Sequence, residues 1–185
     1  KLEMFERILL PTDGANSMDT VVQTAADIAD RRDATVHVLY VIDDRAFLTL
    51  HDEMKDQVLA ELTGEGEAAT ERAAARLREA GIDVTTGIRQ GDPADEILSS
   101  VAAADADLVA MGTRRGDYSN SMMGSVSQEV VARAPIPVLT VNLVDGACRV
   151  TGSQSTGTAG CDTVPRSSLL RVDIHWPVVA AVPLL

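Results

Sequence analysis

Three short stretches of this sequence carry residues whose types and spacing could do chemistry. Pro11-Thr12-Asp13-Gly14 follows an apolar run and sets a carboxylate in a tight turn. Met111-Gly112-Thr113 follows a second apolar run and leads into Arg114 and Arg115. Gly124-Ser125-Val126 opens a segment of helical periodicity. A glycine lets backbone approach a ligand, a serine hydroxyl can donate to a phosphate oxygen, and the first amides of a helix attract anions. These residues suit the holding of an anion rather than the making or breaking of a bond.

Signatures of bond chemistry are missing. The chain has no Walker lysine motif, no Gly-x-Ser-x-Gly, no paired catalytic carboxylates and no zinc spacing. His37 falls on a strand and His51 in a variable segment, and neither has partners in a triad or metal pattern. No catalytic residue and no metal ligand is therefore assigned. Each anion-holding stretch also has an ordinary structural explanation. Asp13 could simply bond its own backbone two residues on, and Gly124-Ser125 could be a plain helix cap. Met122 and Met123 suit a core or a lid, while Tyr118, Asn120 and Ser121 suit either a cavity lining or a solvated loop. Co-location at one point of a fold is what would favour binding over these explanations.

The elements that must position these stretches alternate along the chain. Arg7-Ile8-Leu9-Leu10-Pro11 predicts a strand, and Val21, Val22, Ala25, Ala26, Ile28 and Ala29 predict a helix with Ser17 as its cap. Thr35 to Val41 is β-branched and apolar, a second strand, which gives a right-handed parallel β-α-β unit. His51 to Leu62 predicts a helical turn or two, with Phe47, Leu48 and Leu50 covering the core, and Glu65 to Ala80 predicts a full helix stopped by Gly81. Val84 to Arg89 is a third strand. Gly91-Asp92-Pro93 supplies a turn, a cap and a first-turn proline for a helix running to about Ala104. Leu108 to Met111 is a fourth strand, Ser125 to Ala134 the last helix, and Val138 to Val141 the last strand. Five strands alternating with four main helices predict an α/β fold with an open, doubly wound parallel sheet.

Composition agrees. The 185 residues suffice for one domain, and a hydrophobic share of 45% with only 3% aromatics calls for a core of Ala, Val, Ile and Leu. The net charge of −12 excludes a broad nucleic-acid or anionic-membrane surface. Lys1 and Lys55 are the only lysines, a charge balance similar to that of proteins from salt-loving microbes. No apolar stretch is long enough to span a membrane and no signal region precedes Met4, so a cytoplasmic location is expected.

The chain changes character near Asp145. Residues 146–185 hold Asp162 and Asp173 against Arg149, Arg166 and Arg171, a net of +1, which leaves −13 on residues 1–145. Cys148, Cys161 and Trp176 all lie in this tail, as does a Gly/Ser/Thr-rich run from Thr151 to Gly160. The expected division is a domain over 1–145 and a flexible or non-native tail over 146–185. An apolar docking segment from Val172 to Leu185 is the alternative.

Taken together, the landmarks resemble those of universal stress proteins. Pro11-Thr12-Asp13-Gly14, Gly91-Asp92-Pro93, Met111-Gly112-Thr113, Gly124-Ser125-Val126 and Ala134-Pro135-Ile136-Pro137-Val138-Leu139 occur in family order across residues 5–143. The resemblance implies an adenine-nucleotide alpha-hydrolase-like fold with strand order 3-2-1-4-5 and a homodimer formed through Val138–Val141. It also implies ATP, with Mg2+, held at Pro11, Thr12, Asp13, Val41, Met111, Gly112, Thr113, Gly116, Gly124, Ser125 and Val126. Asp13 would contact the nucleoside, and the backbone at Val41 the adenine edge. The family's ATP pattern is Gly, two residues, Gly, nine residues, then Gly-Ser or Gly-Thr. Here Gly112 and Gly124 lie one position too close, and Arg115 takes the place of the middle glycine, with Gly116 one residue later.

Three functions follow from this reading. The first is an ATP-binding module in stress response or signalling. The second is a nucleotide-free dimeric interaction or chaperone-like protein. The third, an enzyme of a related nucleotide fold, has no motif behind it beyond slow hydrolysis of a bound nucleotide.

Overall fold

The structure, a computed structural model, describes residues 5–47, 51–114, 124–143 and 172–175. Six strands form one sheet: β1 (Arg7–Thr12), β2 (Thr35–Asp43), β3 (Val84–Gly91), β4 (Leu108–Arg114), β5 (Val138–Leu143) and β6 (Val172–His175), in the order β3-β2-β1-β4-β5-β6. The first five are parallel throughout, as the alternation of strands and helices requires. Their order is the expected 3-2-1-4-5. The sheet reverses direction of growth at β1, which pairs β2 on one side and β4 on the other.

Helices α1 (Asp19–Arg32) and α2 (Asp52–Glu79) cover one face; α3 (Pro93–Ala103) and α4 (Ser125–Arg133) cover the other. Alternate strand residues feed the two cores. Ile8, Leu10, Val36, Val38, Leu108 and Ala110 pack with Val21, Ala25 and Leu77. Leu9, Leu39, Val109 and Met111 pack with Ile97, Val101 and Val130. Both faces are buried, so the strands read as unbroken apolar runs rather than alternating ones.

Three local expectations are corrected. Ser17 does not cap α1: a 3-10 turn (Asn16–Met18) leads in, Met18 takes the cap position, and no side chain caps the helix. The segment expected as separate helical pieces is one helix of 28 residues, α2, running straight through Gly64 and Gly66. Gly66 is there because α2 crosses the Tyr40 ring, and a Cβ would sit 2.7 Å from Tyr40 Cδ1. The tail, expected to be flexible or non-native with a docking segment from Val172 to Leu185 as the alternative, contributes β6, antiparallel on the outer edge of β5. Asp92 behaves as expected, its Oδ1 accepting from the amides of Ala94 (3.0 Å) and Asp95 (3.3 Å) to cap α3. Phe47 is half-buried, whereas Leu48 and Leu50 lie outside the described residues.

Candidate functional site

A cavity of about 370 Å³ opens at the carboxyl ends of the strands, where β1 and β4 part. This is the switch point at which open α/β sheets hold ligands. One wall is the end of β1 and the turn after it. Pro11 and Thr12 are buried and Asp13 is exposed. The turn is tied from within: Thr12 Oγ1 accepts from the Gly14 amide at 3.1 Å, and Asp13 Oδ1 from the Ala15 amide at 3.0 Å. It is also gripped from outside, because Arg72 of α2 donates to the Gly14 carbonyl at 3.0 Å. Gly14 has a φ of +75°, and a Cβ there would lie 3.0 Å from that of Ala69, so glycine is required twice over. The carboxylate thus makes the local bond of a turn and still lines the cavity.

The opposite wall is the start of α4. Gly124 occupies the N-cap and no side chain caps the helix. The first free amides and the positive end of the helix dipole therefore face the cavity that Gly124, Ser125, Val126 and Ser127 line. A Cβ added at Gly124 would meet nothing within 4 Å. Among the described residues no packing contact demands the glycine, and the space beside it is open. Ser127 anchors this end of the helix to β4 by donating to the Gly112 carbonyl at 3.2 Å.

Of the residues expected at the site, Pro11, Thr12, Asp13, Val41, Met111, Gly112, Gly124, Ser125 and Val126 come together around this cavity. Thr113 does not line it. It is buried, and its hydroxyl donates 3.0 Å sideways to Asn142 Oδ1 on β5. Gly112 lines the cavity but has a structural reason to be glycine, since a Cβ would come within 2.8 Å of Leu143 Cδ1. Gly116, Arg115, Tyr118, Asn120, Ser121, Met122 and Met123 lie outside the described residues.

The cavity also takes in Met18, Leu39, Tyr40, Pro93, Ile97 and Leu143, which sequence reasoning had not placed there. Tyr40 and Pro93 carried a signal: each stands beside a residue already picked out, Val41 at the end of β2 and Asp92 at the cap of α3. Burial first, then the nearby carboxylates of Glu65 and Asp13, push the Tyr40 phenol above its ordinary pKa, so it stays a neutral donor at physiological pH. The polar ends of the cavity are thus a carboxylate with a phenol on one side and helix amides with a hydroxyl on the other. Between them lies the apolar floor of Leu39, Val41, Ile97 and Met111. A ligand with a flat apolar ring at one end and an anion at the other matches that layout.

A second cavity, of about 290 Å³, lies near the amino ends of β1 and β2 and holds Arg7, Arg89 and His37. Its cations are already engaged, Arg7 with Asp105 at 2.5 Å and Arg89 with Glu96 at 3.6 Å.

The model of the Universal stress protein family matches residues 4–142. This chain belongs to the universal stress protein family. A universal stress protein of Methanothermobacter thermautotrophicus is 32% identical over 146 residues, covering 77% of this chain and 99% of its own length. Among solved structures, hypothetical protein MJ0577 matches with a TM-score of 0.67 and 26% identity, over 75% of this chain and 96% of that one. The universal stress protein from Archaeoglobus fulgidus in complex with dAMP shares the fold, with a TM-score of 0.54 and 20% identity over 74% of this chain and 98% of that one. Family membership accounts for the expected sheet order and for the landmark turns at both ends of the cavity.

Proposed function

We propose that this universal stress protein binds ATP in the cavity between β1 and β4 and acts in stress response or signalling through that bound state. The observation carrying the reading is the open space in front of Gly124, at an uncapped helix start facing Asp13 across one cavity. The volume of about 370 Å³ lies within the range of small-molecule sites. The complex of a family member with dAMP supports an adenine nucleotide as the ligand class. Phosphates sit on the amides of Ser125, Val126 and Ser127, the Ser125 hydroxyl adds a donor, and Asp13 takes the nucleoside end. The adenine lies against Leu39, Val41 and Met111.

Mg2+ arrives with the triphosphate. Among the described residues no group of three His, Cys, Asp or Glu side chains could hold a metal. An Mg2+ that keeps its waters and binds chiefly through phosphates needs no such group. Self-association belongs to the same reading, as a two-fold dimer in the cytoplasm through the outer edge of β5 when β6 does not occupy it. The domain over 1–145 is the binding unit.

Calorimetry with ATP and Mg2+ on the full chain tests the nucleotide reading. Saturable heat that is lost in Gly124→Val supports it. No heat at millimolar ATP, in both low and molar salt, would leave the nucleotide-free interaction protein as the function.

A further inference from the structure

The parallel sheet runs out at β5, and what lies on its edge does not come from the part of the chain the family shares. The family match ends at residue 142, and a relative aligned over 99% of its own length covers only 77% of this chain. β6 lies beyond both limits. It runs antiparallel to β5, with Val138 opposite His175, Leu139 opposite Ile174, Thr140 opposite Asp173 and Val141 opposite Val172. Among the described residues it is the one antiparallel pairing in the sheet.

The edge it covers has none of the usual protection. Val138-Leu139-Thr140-Val141-Asn142-Leu143 contains no proline and no charged residue, and Val138 to Val141 are buried. An edge of that kind is a template for another strand. A second copy related by a two-fold axis would present its own β5 antiparallel, in the same sense as β6. It would also present a longer strand. Among the described residues β6 pairs Val138 to Val141, whereas a second β5 brings six residues to the same edge.

We infer that β6 is an edge guard that competes with a second copy of this chain for the outer edge of β5. Seated, it keeps the protein monomeric; displaced, it lets two copies join β5 to β5. The inference rests on the proposed self-association through β5 and adds its control. β6 has the advantage of being on the same chain, with 28 residues between the end of β5 and its own start. A tethered strand acts at an effective concentration on the order of a millimolar, well above that of a second copy at micromolar protein. The longer ladder prevails only where the pairing of β6 is weakened.

The test is the double variant Asp173→Pro/Ile174→Pro in the full chain. Adjacent residues of an antiparallel strand point their amides to opposite sides, so one of the two prolines removes a donor to β5 whichever way β6 lies. Light scattering from 1 to 200 µM (about the range over which a millimolar competitor dominates) should give one chain mass for the wild type and twice that mass for the variant. Hydrogen exchange should show the β5 edge amides protected in both. Two chain masses for the wild type as well would overturn the guard and leave self-association standing. One chain mass for the variant, with its β5 amides newly exchanging, would overturn self-association through this edge and the guard with it.

Discussion

Gly124→Val separates a ligand-holding helix start from a merely structural one. The backbone at Gly124 has φ −58° and ψ 151°, a region that β-branched residues adopt without strain, and a Cβ there meets nothing within 4 Å. The substitution should therefore leave stability within about 0.5 kcal/mol, or raise it slightly by restricting the unfolded chain. Binding should respond very differently. The new side chain fills the space through which a phosphate would approach the amides of α4. A hydrogen bond to a charged group contributes about 1.5–3 kcal/mol. Losing two of them costs about 3–6 kcal/mol, on the order of a hundredfold to ten-thousandfold in affinity. Calorimetry with ATP reads the affinity, and thermal unfolding without nucleotide reads the stability. Gly124→Ala, with less bulk, should fall between the two. An unchanged affinity in Gly124→Val would place the phosphates elsewhere, and a collapse in stability would contradict the open space in front of the residue.

Asp13→Ala should weaken ATP binding by about 1–2 kcal/mol, roughly tenfold, by calorimetry. Asp13→Asn keeps an oxygen for the Ala15 amide, so any loss that persists there belongs to the ligand rather than the turn. Gly112→Ala should lower stability by about 1–3 kcal/mol in denaturant unfolding, because its Cβ overlaps Leu143; Leu143→Ala in the same chain should recover part of that loss. Burial, then the Arg89 charge, holds the His37 pKa below its ordinary 6.5, so the unfolded chain takes up that proton first. Stability should be full above pH 6.5 and decline as pH falls below it, and the unfolding midpoint of His37→Gln should lack that slope. Limited proteolysis should cut within 146–160 and leave the domain over 1–145 intact.

The parts of the fold that were legible in the sequence are those fixed by short-range signals. Apolar runs bounded by turn residues gave β1 to β5, and Asp92 followed by Pro93 marked the start of α3 because a cap is a local contact. The parts that were not legible depend on a distant partner. Gly64 and Gly66 look like breaks in a helix, yet α2 runs through both, and only Gly66 has its reason on another element, the Tyr40 ring that a Cβ would meet. Thr113 shares a turn sequence with its site neighbours, but the hydrogen bond to Asn142 on β5 directs it away from the cavity. β6 spans four residues, too short to show a period, and its register exists only against β5.

The same distinction bears on the glycines, which carry most of the resemblance to an ATP site and do not all mean the same thing. Gly14 is fixed by its positive φ and by Ala69, and Gly112 by Leu143, so a nucleotide-free relative with this packing would keep both. Their presence cannot decide between the binding module and the interaction protein. Gly124 differs in kind. Its φ is ordinary, its Cβ position is empty, and as a helix cap glycine does no better than the serine or aspartate that would also satisfy an amide. A capping side chain would, however, occupy the donors a phosphate needs. Among the described glycines at the cavity, Gly124 is the one that neither a positive φ nor a contact with a described residue demands.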